Sequence, residues 1–284
     1  MRADAGVPMI RDILVHADSF ETWSPGVEYA ARLAAARSGS LTAAYVYPTP
    51  DYMMPAYGAP ALLAEIVEQT RRIERESLAA RERFVAWAQA RGVTRAHWQV
   101  AEGFLPETLA YLGNWHDLLV LERNGAVPWE SPADLGRLVV QSQLPCLIVP
   151  PNVPQAAGLA RIAVAWNGAP ESVRAAHAAM PLLEGARSVV LLCGRRRDPF
   201  SEIGWRPPFD MLAYLRRHGV DAERHDIGNA DSSAGEALLD AAAAQRADLL
   251  VMGAYGRSRF SEWVFGGATR HVLDQATLPV LMRH

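Results

Sequence analysis

The chain has 284 residues, of which 50% are hydrophobic and 21% are charged, and its formal net charge is -3. This length fits two domains of ordinary size or one large domain. The charge balance lacks the basic excess that nucleic acids and anionic membranes attract, and no apolar run approaches the ~20 residues that span a bilayer. Residues 1–8 also lack the apolar core of a signal peptide. We therefore expect a cytoplasmic globular protein with neither nucleic acid nor a membrane as its partner.

The usage of single residue types excludes several kinds of chemistry. All 28 basic residues are Arg, so the chain has no Walker lysine, no Schiff-base lysine and no site for pyridoxal phosphate. Cys146 and Cys193 each lie in an apolar run, which favours inert core thiols over a disulfide or a metal pair. The eight His residues show no metal-ligand spacing. We expect neither a metal site nor a catalytic constellation.

The sequence contains an internal repeat. The Asp-Leu-Leu-Val run at 117–120 recurs at 248–251, and the Leu-Pro-led apolar run at 144–149 recurs more loosely at 278–283. The stretch 150–158 is rich in Pro and small residues and is typical of a linker. The repeat therefore predicts two domains, at residues 1–152 and 159–284.

Each half is predicted to alternate strands with helices. The first half has predicted strands at 13–16, 42–47, 98–101, 118–121 and 146–149, with helices at 25–37, 62–91, 106–112 and 134–142. The second half has predicted strands at 162–165, 189–192, 222–226, 249–252 and 280–282, with helices at 171–184, 208–218, 233–246 and 267–275.

The strands are short, continuous apolar runs, which are typical of parallel strands covered on both faces. Alternation with right-handed crossovers predicts the α/β class, as two tandem flavodoxin-like or Rossmann-like, doubly wound, parallel five-stranded sheets. The strand order 3-2-1-4-5 places the ligand crevice between strands 1 and 4, at their carboxyl ends.

A glycine motif follows the fourth strand of the second half. Gly253, Gly256 and Gly266 have the spacing Gly-x2-Gly-x9-Gly, and a predicted helix begins directly after them. Glycine lets a ligand approach bare backbone, and amides at a helix N-terminus favour an anion. Thr269 adds a hydroxyl in the first helical turn. The motif therefore predicts a phosphate-binding loop.

This motif and its flanks, residues 247–253 and 278–281, resemble the universal stress protein family. The resemblance covers both halves and so indicates the tandem, two-domain form. It implies a stress-response regulator that binds ATP or another adenine nucleotide in the C-terminal domain, with Mg²⁺ as the accompanying ion. It assigns nucleotide-binding positions to Asn167, Met252, Gly253, Gly256, Arg257, Gly266, Gly267, Ala268 and Thr269.

Two of these positions depart from the family pattern. Gly267 stands where the family has a Ser or Thr, and Asn167 stands where it has an acid at the end of strand one. The first half departs differently, because it keeps an acid, Asp18, but loses the first and last glycines of the motif. Glu122 and Glu130 occupy that shorter loop and would repel phosphate. We expect no triphosphate in the first half.

The resemblance also implies how the halves meet. Single-domain members of the family dimerise by pairing their fifth strands, so we predict an intramolecular pseudo-dimer with strands 146–149 and 280–282 antiparallel, which also covers two apolar edges. A homodimer of whole chains remains open.

Two other functions remain open: a stress protein that acts through protein partners without a nucleotide, and a nucleotide-dependent transferase or flavin electron carrier. The last has no catalytic signature here. Residues 195–197, three consecutive Arg, are a minor candidate for phosphate contact. We predict a binding protein that is not an enzyme, with slow ATP hydrolysis left open.

Overall fold

The computed structural model describes residues 10–49, 60–123, 132–153, 159–194, 210–227, 233–255 and 267–284. The side chains of residues 60–63 and 132–134 are also outside this description. The chain divides into two compact units. The smaller unit comprises Ile10–Glu122 and Gln141–Leu144, and the larger unit includes Arg123–Val140 and Pro145–His284.

Strands and helices alternate along both halves of the sequence. The first half contains β1 (Asp12–His16), α1 (Pro25–Ala36), β2 (Ser40–Tyr47), α2 (Pro60–Ala79), α3 (Arg81–Gln89), β3 (Arg95–Glu102), α4 (Leu105–Gly113), β4 (Leu118–Glu122), α5 (Pro132–Gln141) and β5 (Cys146–Val149). The second half contains β6 (Arg161–Trp166), α6 (Pro170–Leu183), β7 (Ser188–Cys193), α7 (Met211–Arg217), β8 (Ala222–Asp226), α8 (Ala234–Ala244), β9 (Leu249–Gly253), α9 (Gly267–Gln275) and β10 (Val280–Arg283). Among the described helices, none is long and apolar enough to cross a membrane.

The smaller unit is built on four parallel strands in the order β3-β2-β1-β4. The neighbouring strands β1 and β4 are almost fully buried, which agrees with the prediction from their continuous apolar runs that these strands are covered on both faces. Ile13 of β1 lies opposite Leu118 of β4, and both side chains are completely buried.

The larger unit contains the strand order β5-β10-β9-β6-β7-β8. Strands β6 to β10 are parallel to one another and confirm the predicted order 3-2-1-4-5 for the second half. Strand β5 pairs antiparallel with β10, with Leu147 opposite Leu281. The predicted pairing of the two fifth strands is therefore confirmed, and β5 belongs to the same compact unit as the second half.

The repeated Asp-Leu-Leu-Val run has a structural cause. The carboxylate of Asp117 accepts hydrogen bonds from the backbone N–H groups of Arg11 (2.8 Å) and Asp12 (3.0 Å). In the second half, the carboxylate of Asp248 accepts from those of Ala160 (3.1 Å) and Arg161 (2.8 Å). Each Asp thus links the start of the fourth strand to the start of the first strand and gives these backbone N–H groups an acceptor.

The prediction of one helix over residues 62–91 is wrong, because α2 ends at Ala79 and α3 begins at Arg81. The carbonyl oxygen of Ser77 accepts a hydrogen bond from the Trp98 indole Nε1 at 2.8 Å. The same oxygen accepts from the Ala80 N–H at 3.2 Å, an i to i+3 bond that tightens the turn. A side chain that enters the helical hydrogen-bond pattern in this way breaks the helix.

Candidate functional site

A crevice opens in the larger unit where two neighbouring parallel strands end. Trp166 and Cys193 are the last residues of β6 and β7 and lie side by side in the sheet register. The crevice has a volume of about 300 Å³. Its walls come from the ends of β6 and β7, from α6, from α7 and from β8: Trp166, Asn167, Gly168, Val173, His177, Leu191, Cys193, Gly194, Asp210, Met211, Leu212, Tyr214, Arg217 and Arg224.

Asn167 lies in this crevice, directly after β6. Its side-chain oxygen accepts a hydrogen bond of 3.0 Å from the backbone N–H of Ala169, the residue that precedes α6. Gly168 between them has a φ of +76°, which favours glycine. The amide of Asn167 therefore shapes the turn into α6 and brings no charge to the position where the resemblance implies an acid.

Gly253 ends β9 and lies against the N-terminal turn of α6. A Cβ atom at this position would approach the Glu171 carbonyl carbon to 2.6 Å and the Ser172 nitrogen to 2.7 Å. Any side chain would push against backbone, so the first glycine of the motif is needed for packing whether or not a ligand binds. Met252 before it is buried and lies opposite Met282 of β10 rather than among the crevice walls.

The start of α9 carries the last three predicted site residues. Gly267 is exposed, Ala268 is half-buried and Thr269 is buried. The Thr269 hydroxyl oxygen accepts from the Tyr255 N–H at 3.4 Å and so joins the end of β9 to α9. The predicted residues Gly256, Arg257 and Gly266 lie outside the described residues, as do residues 195–197.

Two of the predicted site residues, Asn167 and Gly253, therefore meet at the N-terminus of α6. Asn167 reaches that turn through Ala169, whose carbonyl oxygen accepts a 2.8 Å hydrogen bond from the Ser172 hydroxyl. Gly253 packs on the other side of the turn, against Ser172 and its neighbour. The Asn167 turn and the β9–α9 motif thus share one structural support.

Several side chains of the crevice were not predicted from the sequence. Tyr214 stacks on His177 with ring centroids 4.9 Å apart, and the Arg217 guanidinium lies 5.8 Å from the Tyr214 ring centroid. These groups come from α6 and α7, and only the fold brings them beside the end of β6. Trp166 was within reach of the sequence, because it directly follows the strand predicted at 162–165.

The charged groups of the crevice are partly engaged with one another. The Asp210 carboxylate accepts a 2.6 Å hydrogen bond from the Ala213 N–H and caps α7. The Arg224 guanidinium contacts the Asp226 carboxylate at 2.8 Å, and this hydrogen bond raises the pKa of Arg224 above its ordinary value. Within the described part of the chain, no group of three or more His, Cys, Asp or Glu side chains is placed to hold a metal ion.

In the smaller unit, Glu122 ends β4 as Gly253 ends β9, so this strand end carries a carboxylate instead of a glycine. Glu122 is buried, and its carboxylate accepts a 2.7 Å hydrogen bond from the Gly26 N–H in the first turn of α1. Burial raises the pKa of Glu122, while hydrogen bonds from Ser24 and Gly26 oppose that shift. The N-terminal turn of α1 thus already faces a negative group of the protein itself.

A doubly wound α/β sheet with a crevice at the carboxyl ends of its strands defines the flavodoxin-like class of ligand-binding folds. The family model described as "Universal stress protein family" matches residues 158–284. The C-terminal segment, residues 158–284, is therefore a domain of the universal stress protein family. Comparison with curated proteins gives no match.

Two solved structures extend the likeness over nearly the whole chain. A universal stress protein from Archaeoglobus fulgidus DSM 4304 is 14% identical, covers 97% of this chain and 97% of its own, and has a TM-score of 0.66. A functionally unknown protein from Pseudomonas aeruginosa PAO1 is 16% identical, covers 96% of this chain and 92% of its own, and has a TM-score of 0.58. At these identities the likeness concerns the fold, which matches tandem domains of the family.

Proposed function

We propose that the larger unit binds one adenine nucleotide per chain, and that the protein acts as a nucleotide-binding regulator in a stress response. The crevice at the ends of β6 and β7 is the observation that carries the proposal. It lies at the carboxyl ends of parallel strands, the edge at which doubly wound sheets bind ligands, but beside strands one to three of the second half rather than between strands one and four as predicted. Its volume of about 300 Å³ is at the lower end of small-molecule sites. The family membership of residues 158–284 supports the same reading.

The chemistry of the walls fits a nucleoside better than an isolated anion. The stacked rings of His177 and Tyr214 offer an aromatic face of the kind on which bases stack. Arg217 supplies positive charge at the same crevice, and Arg224, which is paired with Asp226, also lines it. Gly267 and Thr269 at the start of α9 would contribute backbone N–H groups and a hydroxyl to phosphate oxygens, and Mg²⁺ would supply charge neutralisation there.

Two observations weigh against a typical ATP site. Gly267 offers no hydroxyl, and the side-chain oxygen of Asn167 is engaged by the Ala169 N–H. Both changes remove polar groups that would hold ribose or phosphate, so we expect weaker binding than in a site with the complete family pattern. We propose binding and slow hydrolysis or none, because the sequence carries no catalytic signature.

The direct test places a large side chain in the crevice. A Cβ atom at Gly194 would meet nothing within 4 Å, and Gly194 lines the crevice. In titration calorimetry, we expect Gly194→Trp to weaken ATP binding at least tenfold. Pro48→Trp is the matched control, because exposed Pro48 follows β2 as Gly194 follows β7. The site proposed here is wrong if both variants bind ATP as the unaltered protein does.

A further inference from the structure

The beginning of the glycine motif rests on a helix from the first half of the sequence. Tyr255 lies between Gly253 and Gly256 and has a left-handed backbone, with a φ of +53°. A Cβ atom at Gly136 of α5 would lie 1.7 Å from the Tyr255 hydroxyl oxygen and 2.7 Å from its Cζ. The tyrosine ring therefore occupies the space that any side chain at position 136 would need.

Burial at this contact removes water from the Tyr255 phenol and raises its pKa to about 12. Gly136 itself is buried inside α5. A glycine inside a helix is about 1 kcal/mol less favourable than alanine. Helix formation alone would thus favour alanine at position 136, and the contact with Tyr255 explains why glycine is accommodated there.

A second contact joins the same stretch of the sequence to the helix after the motif. The Arg123 guanidinium donates hydrogen bonds to the carbonyl oxygens of Leu273 (2.7 Å), Asp274 and Ala276 (2.7 Å). These carbonyls lie at the C-terminal end of α9, where a cation is favourable. Residues from the first half therefore contact both Tyr255, before the motif's long loop, and α9, which follows it.

We propose that Gly136 is a positioning residue for the nucleotide site of the second half. Its missing side chain lets the Tyr255 ring lie against α5. The ring in turn fixes the backbone between Gly253 and Gly256 and the contact of the Tyr255 N–H with the Thr269 hydroxyl. The expected effect of Gly136 on ATP affinity rests on the proposed function. Its expected effect on the melting temperature does not.

A double-mutant cycle on the whole protein tests the proposal. Gly136→Ala should lower the melting temperature and weaken ATP binding tenfold or more, because the new methyl group displaces the ring. Tyr255→Ala removes the ring and keeps a Cβ atom at the same positive φ. In that background, Gly136→Ala should raise the melting temperature and change ATP affinity less than twofold. Val140→Ala, at an exposed position of the same helix, is the control and should change neither quantity.

The melting temperatures and the ATP affinities test the two proposals separately. If Gly136→Ala shifts the melting temperature in the same direction and by the same amount in both backgrounds, Tyr255 does not mediate its effect and the inference is overturned. If the unaltered protein binds no adenine nucleotide, the proposed function fails, and the melting arm still decides whether Gly136 positions Tyr255. Equal weakening of ATP binding by Gly136→Ala in both backgrounds would overturn the inference as well.

Discussion

Glu122, at the end of β4, contacts Gly26, in the first turn of α1. The second half has the same contact between strand end and helix turn, but with the glycine on the strand and the glutamate on the helix. The Glu122 carboxylate accepts from the Gly26 N–H, and a Cβ atom at Gly26 would lie 2.8 Å from a Glu122 oxygen. In the second half, the glycine is Gly253 at the end of the strand, and the glutamate is Glu171 in the first turn of the helix. One half thus has a carboxylate at the strand end, and the other has bare backbone.

The exchange gives Glu122 a pH-dependent effect on stability. Burial raises the pKa of this carboxyl above its ordinary value of 4.5, so the folded state holds the proton more tightly than the unfolded state. Its contribution to stability is therefore complete below pH 4.5 and is lost as the pH rises through the raised pKa. Glu122→Gln keeps an acceptor for Gly26 and removes the titration.

Urea denaturation of both proteins across this pH range measures the difference. The free energy of unfolding of the unaltered protein, relative to Glu122→Gln, should fall as the pH rises above 4.5. A difference that stays constant with pH would show that Glu122 has no raised pKa in the folded state.

His16 should make the free energy of unfolding change with pH in the opposite direction. Burial lowers the pKa of His16 from 6.5 to about 4, and the charge of Asp18 only partly opposes this. The unfolded state then binds the proton first, so stability is present above pH 6.5 and is lost as the pH falls towards 4. At about 1.4 kcal/mol per pH unit, the full loss is on the order of 3 kcal/mol. His16→Gln should unfold without this loss, and an equal acid slope in the variant would contradict the burial effect.

Gly253→Ala tests whether the first motif glycine is structural. The added methyl group would press on the backbone of Glu171 and Ser172, and such overpacking typically costs about 1–3 kcal/mol. Gly267→Ala and Gly194→Ala are matched controls, because a Cβ atom at either position meets nothing within 4 Å. We expect denaturation midpoints to fall for Gly253→Ala alone. A Gly253→Ala protein as stable as the controls would mean that the α6 turn moves aside without cost.

Arg123→Met should weaken the attachment at the end of α9. The substitution keeps apolar volume but removes every donor to the carbonyl oxygens of residues 273, 274 and 276. Hydrogen bonds that involve a charged group contribute about 1.5–3 kcal/mol, so we expect a loss of about 2 kcal/mol in the free energy of unfolding. Arg75→Met is the control, because the ion pair of Arg75 with Glu68 is exposed to solvent. Equal stability of the two variants would contradict the role assigned to Arg123.

Much of the fold follows from local sequence signals. The paired Asp117 and Asp248 marked the repeat, and their hydrogen bonds to the start of strand one explain why the motif recurs. Most strands were predicted from apolar runs, whereas β8, with the sequence Ala-Glu-Arg-His-Asp, is polar and exposed and was predicted from its place in the alternation. The break at Ala80 could not be predicted, because it depends on the indole of Trp98, which lies on a strand distant in sequence.

The candidate site was only partly predictable for the same reason. The glycines stood out by spacing, yet the structure gives Gly253 a packing role that spacing cannot distinguish from ligand approach. Tyr214 and Arg224 carried no motif, because only the parallel order β6-β7-β8 and the placement of α7 bring them to the crevice. The role of Gly136 likewise could not be predicted, because it depends on the contact with Tyr255 in the folded chain.

The central claim is one adenine nucleotide per chain, bound by the second half. The most direct measurement is mass spectrometry of the supernatant after the purified protein is denatured, with ATP titration of nucleotide-free protein to count the sites. We predict an adenine nucleotide in the supernatant and a titration that saturates at one equivalent, and we expect Gly194→Trp to abolish both. Two equivalent sites per chain, or the absence of any nucleotide together with no heat on ATP addition, would contradict the account.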